Sequence, residues 1–190
     1  MYMGNRPCHY PTGRESLSMV LISRWRLQTS RDRLWNLLTD PIGWPRWWPH
    51  LAAVDRLASG DAAGVGSSHA FCWRSGLGYR IRVVMTTTRT APQRELEGSA
   101  SGDLYGVGLW IIEDDAPGAV RLTYRWDVEL GKPWMRRFAP LLRPVFARRH
   151  FAVMTSGAYG MARELRCRVS EMEEWSTAGP ILASEAGRRS

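Results

Sequence analysis

Apolar and polar residues alternate through most of this chain. The clearest case is Val120, Leu122, Tyr124, Trp126, Val128 and Leu130, set against Arg121, Thr123, Arg125, Asp127 and Glu129. A strand with one buried and one wet face has this period, and such strands belong to antiparallel sheets. Residues 18–27 repeat it, with Met19, Leu21, Ser23, Trp25 and Leu27 opposite Arg24 and Arg26. So do residues 68–74 (His69, Phe71, Trp73), 79–87 (Tyr79, Ile81, Val83, Met85, Thr87), 96–100 (Leu96, Gly98, Ala100) and 102–113 (Leu104, Gly106, Gly108, Trp110, Ile112). Residues 51–57 have strand composition without a clean period. Turn-forming residues separate these runs at 60–68, 75–78, 91–92 and 114–118. Gly106 and Gly108 leave side-chain space on their face, read as a bulge, a sharp bend or room for a ligand.

Two regions change period. From about Pro144 to Val169, Phe146, Val153, Met154, Gly157, Met161 and Leu165 recur at helical spacing, with Pro144 suited to a first helical position. This predicts one long helix of about 39 Å, at about 1.5 Å per residue. Near the start, Thr29 is a candidate cap, with Asp32 three residues on, for a short helix through Leu34, Trp35, Leu37 and Leu38. Asp40-Pro41 ends it. In residues 43–50 two prolines allow one turn and then a loop. Trp44, Trp47 and Trp48 there are either a plug for the core or a lip over a cavity. The domain is expected over 17–169, with a flexible leader (1–16) and a disordered tail (170–190). The order predicts an α+β fold: a curved antiparallel sheet of about six or seven strands around a long C-terminal helix, with one or two short helices after the first strand.

Charge and cysteines narrow the class. The net charge of +8 suits an acidic partner, but no nucleic-acid motif accompanies it, so nucleic acid is not expected and an ordinary basic protein is the simpler reading. Lys132, Arg136, Arg137, Arg143, Arg148 and Arg149 share a stretch with Trp134, Phe138, Leu141 and Leu142, which is either a solvated rim or a surface that recruits acidic ligands or makes transient contact with an anionic membrane, the latter through Lys132, Arg136, Arg137 and Arg143. Cys8, Cys72 and Cys167 are scattered, with no metal-binding or disulfide pattern. No signal sequence or membrane span is visible, so a cytoplasmic location is expected.

The element order resembles the helix-grip fold of the START-like superfamily. The phrases Leu34-Trp35-Asn36-Leu37-Leu38-Thr39-Asp40, Gly43-Trp44-Pro45-Arg46-Trp47-Trp48-Pro49, Gly64-Val65-Gly66 and Gly102-Asp103-Leu104, with Met154 and Gly157 in the closing helix, resemble the bacterial SRPBCC group of polyketide cyclase/dehydrase-like proteins. The resemblance spans residues 18–168. It implies a pocket between sheet and helix for a small hydrophobic, lipid-like or aromatic molecule. It carries no catalytic motif over, because one fold hosts many functions.

Candidate lining residues are Trp48, His69, Trp73, Tyr79, Met85, Gly108, Trp110, Tyr124, Trp126, Phe146, His150 and Met154, with a solid core as the alternative. His150 sits on an apolar helix stripe, where it needs a hydrogen-bond partner or loses its charge. With Asp103 and Tyr124 it is a candidate acid/base group for cyclase or dehydratase chemistry. An interaction module using the basic surface is the third reading. No cofactor fingerprint and no metal-ligand spacing is present.

Overall fold

The computed structural model describes residues 18–74, 80–130 and 139–177. The chain runs β1 (Ser18–Leu27), α1 (Arg31–Leu38), a 3₁₀ turn (Pro41–Gly43) and α2 (Trp44–Trp47). It continues with β2 (Leu51–Ser59), β3 (Ser67–Arg74), β4 (Arg80–Ala91), β5 (Glu95–Gly102), β6 (Leu104–Ala116) and β7 (Ala119–Leu130), then α3 (Ala139–Glu164) and β8 (Val169–Thr177). The strands form one sheet in the order β2-β3-β4-β5-β6-β7-β1-β8, with antiparallel neighbours throughout. Its inward face and α3 enclose the core, which is the helix-grip arrangement.

β1 follows the predicted alternation: Met19, Leu21, Ser23, Trp25 and Leu27 are all buried. α1 starts one residue later than expected. Ser30, not Thr29, is the cap, and its side chain accepts from the Arg33 amide at 3.4 Å.

The eighth strand corrects the expected six or seven and converts residues 170–177 of the expected tail into sheet. Its side chains are mostly exposed, so no burial period marks it. Backbone pairing to β1 holds it, with ion pairs Arg24–Glu173 (3.4 Å) and Arg26–Glu171 (3.3 Å) across the pair. The Arg24 guanidinium also lies over the Trp175 ring at 5.1 Å.

The long helix spans Ala139–Glu164 rather than 144–169, with Pro144 inside it. A proline there forgoes one intrahelical bond near the helix start. At the other end Arg166 adopts a left-handed φ of 51°. Cys167 N–H then donates to Ala162 (2.9 Å) and Arg166 N–H to Arg163 (3.1 Å), a Schellman closure. An arginine fills the position that glycine usually marks, so the stop was hidden in the sequence.

α2 is the single turn its prolines allow, and it docks directly on α3. A Cβ on Gly160 would run into the Trp47 carbonyl oxygen, and one on Gly157 would stand 2.5 Å from the Trp48 ring. These two glycines let the tryptophan turn reach the helix backbone. Trp48 Nε1 fixes the contact by donating to the Val153 carbonyl at 2.9 Å. Beyond it, Ala158, Met161, Ala162 and Leu165 close the core with Leu34, Leu38 and Leu122.

Candidate functional site

The first half of α3 meets the sheet through Phe146, Ala147 and Phe151, which pack against the cluster that includes Leu21, Val83, Leu104 and Trp126. Between helix and sheet lies a cavity of about 600 Å³. Alternate residues of β3 to β7 form one wall, because period-two strands send every second side chain to the same face. Phe146, His150, Val153 and Met154 of α3 form the other wall, and Trp44 and Trp48 close one side. A depression of about 690 Å³ on the outer side of α3, around Ala147, Phe151 and Tyr159, is a surface groove rather than an enclosure.

Aromatic rings dominate the cavity. Tyr124 lies 4.3 Å from Trp110 between ring centroids, and near-parallel to Trp126 and His150 at 6.3 Å each. Phe71 stacks on Trp73 at 6.2 Å, and Trp48 meets Trp73 edge-on at 5.0 Å. The Tyr124 hydroxyl lies over Gly108, 2.7 Å from where a Cβ would be. Gly108 therefore makes room for Tyr124 and only borders the cavity. Gly106 permits a close backbone approach: its φ is 148° and a side chain there would strike the Asp127 carbonyl.

Three polar side chains sit among these rings. His69 and His150 each hold a buried Nε2 without a hydrogen-bond partner among the described residues. Burial lowers the His150 pKa to about 3. Burial, and then the nearby Arg56 charge, lower that of His69. Burial raises that of the Tyr124 phenol. All three are neutral near pH 7. Each offers hydrogen bonds without charge, which suits a largely apolar ligand with a few polar groups. Among the described residues, no three His, Cys, Asp or Glu side chains converge as metal ligands do.

A family model for polyketide cyclase/dehydrase and lipid transport matches residues 26–166. The chain belongs to this family. Solved structures with the same fold include a START superfamily protein from Mycobacterium smegmatis (12% identity, TM-score 0.65), covering 77% of this chain and 97% of that one. The Zhui aromatase/cyclase from Streptomyces sp. R1128 (14%, 0.59) covers 77% and 96%. The ginseng major latex-like protein 151 from Panax ginseng (12%, 0.60) covers 78% and 98%. No curated protein matches the sequence.

Within this family frame, the expected Trp48, His69, Trp73, Met85, Gly108, Trp110, Tyr124, Trp126, Phe146, His150 and Met154 all border the cavity. Tyr79 lies outside the described residues. So do Lys132, Arg136 and Arg137 of the basic stretch, while Arg143 lies on α3. Asp103 is a correction. Its carboxylate accepts from the Arg82 amide and its own amide donates to the Arg82 carbonyl, both at 3.0 Å. It ties the β5–β6 turn to β4 and is not among the residues that border the cavity. The tryptophan cluster resolves as both alternatives: Trp47 is a core plug, while Trp44 and Trp48 border the cavity. Sequence reasoning missed Phe71, Leu96 and Gly98 as lining residues, although each shares the inward face of its strand. It also missed Arg74, and it placed Arg149 in the basic stretch rather than at the cavity, since no apolar period reveals either. Among the described residues no helix is long and apolar enough to cross a membrane.

Proposed function

We propose that this protein binds a small hydrophobic molecule, aromatic or lipid-like, in the cavity under α3. The carrying observation is an aromatic-walled space of about 600 Å³ holding neutral, desolvated hydrogen-bonding groups. That size is within the usual range for ligand sites, roughly 300–1,000 Å³. The family description adds lipid transport as a compatible role. Native mass spectrometry of the purified protein, followed by denaturation and extraction, tests the reading. A bound apolar molecule near one per chain supports it. An empty protein that shows no thermal shift with aromatic and lipid ligands refutes it.

A second reading is a cyclase/dehydratase-like enzyme using His150 and Tyr124. The stacking of these two rings and the family description favour it. Against it stands the low basicity of His150: a proton placed there costs about 5 kcal/mol more than on a histidine in water. His150 is thus a poor proton reservoir near pH 7 unless the substrate brings a negative charge. The His150→Gln variant separates the readings. A binder keeps its ligand with little change in affinity, whereas an enzyme keeps its ligand and loses turnover by about 100-fold or more.

A further inference from the structure

We infer that the ligand carries an anionic head, a carboxylate or a phosphate, held at the cavity rim between Arg74 and Arg149 while its apolar body lies among the rings. The inference rests on the binding reading above and adds the chemical class of the ligand.

Arg74 comes from the end of β3 and Arg149 from α3, so each of the two walls brings an arginine to the edge of one cavity. The same aromatic pair marks their place. Trp73, next to Arg74, meets Trp48 edge-on. Trp48 is anchored to Val153, one helical turn beyond Arg149. Both arginines are exposed, as a rim requires.

Neither arginine has an acidic partner among the described residues. Arg74 donates one bond, from Nη1 to the Pro49 carbonyl at 2.8 Å, which fixes its direction and leaves other donors available. Glu97 is the one acidic residue among those described along the cavity, and it is already engaged. Its carboxylate takes Arg89 at 3.3 Å and Thr88 at 2.8 Å. The interior groups His69, Tyr124 and His150 are neutral. Positive charge is therefore confined to the rim. A cation beside low-dielectric walls acts more strongly than one on an open surface, and a guanidinium fork matches the oxygens of carboxylate and phosphate.

The test compares three probes with one body: 1-pyrenebutyrate, 1-pyrenebutyl phosphate and 1-pyrenebutanol. Affinities are read by fluorescence titration at low salt, on wild type and on the Arg74→Gln/Arg149→Gln double variant. The anions should bind wild type at least about tenfold more tightly than the alcohol, the size of a charge-assisted hydrogen bond. The double variant should erase that preference and leave alcohol binding unchanged. Tighter binding of the phosphate assigns a phosphate head, and tighter binding of the carboxylate assigns that one. Equal affinity of all three probes for wild type overturns the anionic head and leaves the apolar cavity standing. A preference that survives in the double variant overturns the role of these two arginines. If no probe binds, the cavity reading itself fails, and this inference with it.

Discussion

The two halves of α3 meet the rest of the molecule in opposite ways. From Gly157 to Glu164 the helix lies directly on the tryptophan turn, with Ala158, Met161 and Ala162 buried and glycine wherever α2 presses closest. From Val145 to Met154 the same helix borders open space, and its polar residue His150 has an unpaired nitrogen. Side-chain size explains the contrast. Gly157 and Gly160 in the second half let backbones approach, while Phe146, His150 and Met154 of the first half line the cavity. One half anchors and the other encloses, so mutations in them should have different signatures.

The largest expected effect is on the anchoring half. Gly160→Leu drives a side chain into the Trp47 backbone, which cannot yield as a side-chain tip can. Urea unfolding should show a loss of about 3 kcal/mol or more, at the upper end for overpacking. A loss below about 1 kcal/mol would mean the contact is loose. Next, Met161→Ala in the closed core should cost about 3 kcal/mol, whereas Met85→Ala at the cavity should cost about 1 kcal/mol, since its methyl borders space already. Equal costs would remove the distinction between the halves.

A smaller effect concerns pH. The folded state keeps His150 neutral down to about pH 3, while the unfolded chain takes up the proton near pH 6.5. The unfolded state therefore binds more protons within that window, and stability falls as pH drops through it. His150 alone should remove about 2 kcal/mol between pH 6.5 and pH 5. The His150→Gln variant should lose that much less over the same interval in paired denaturant titrations. Matching profiles for the two proteins would show that His150 is solvated. His69 acts in the same direction.

Much of the fold was legible because burial leaves a period. Met19, Leu21, Ser23, Trp25 and Leu27 of β1 are buried as their alternation predicts, and the inward residues of β3 to β7 include most of the cavity wall. What escaped was held by other forces. β8 is fixed by backbone pairing and surface ion pairs, which leave no alternation of apolar residues. The end of α3 is set by Arg166 in a conformation that sequence reading assigns to glycine. Asp103 lay in a family-like phrase, yet its carboxylate serves the backbone of β4. Arg149 reads from sequence as part of a basic stretch and Arg74 as isolated surface charge, and only the placement of β3 against α3 brings both to one cavity.

The most direct measurement of the central claim is a titration of 1-pyrenebutanol into wild type and Gly108→Leu, followed by energy transfer from the ten tryptophans. The leucine Cβ would stand 2.7 Å from the Tyr124 hydroxyl, and displacing that ring sends it into the cavity. Saturation at one probe per chain in wild type, weakened at least about tenfold in a still-folded variant, is the expected result. No binding to wild type, or equal binding to both proteins, would contradict a ligand site under α3.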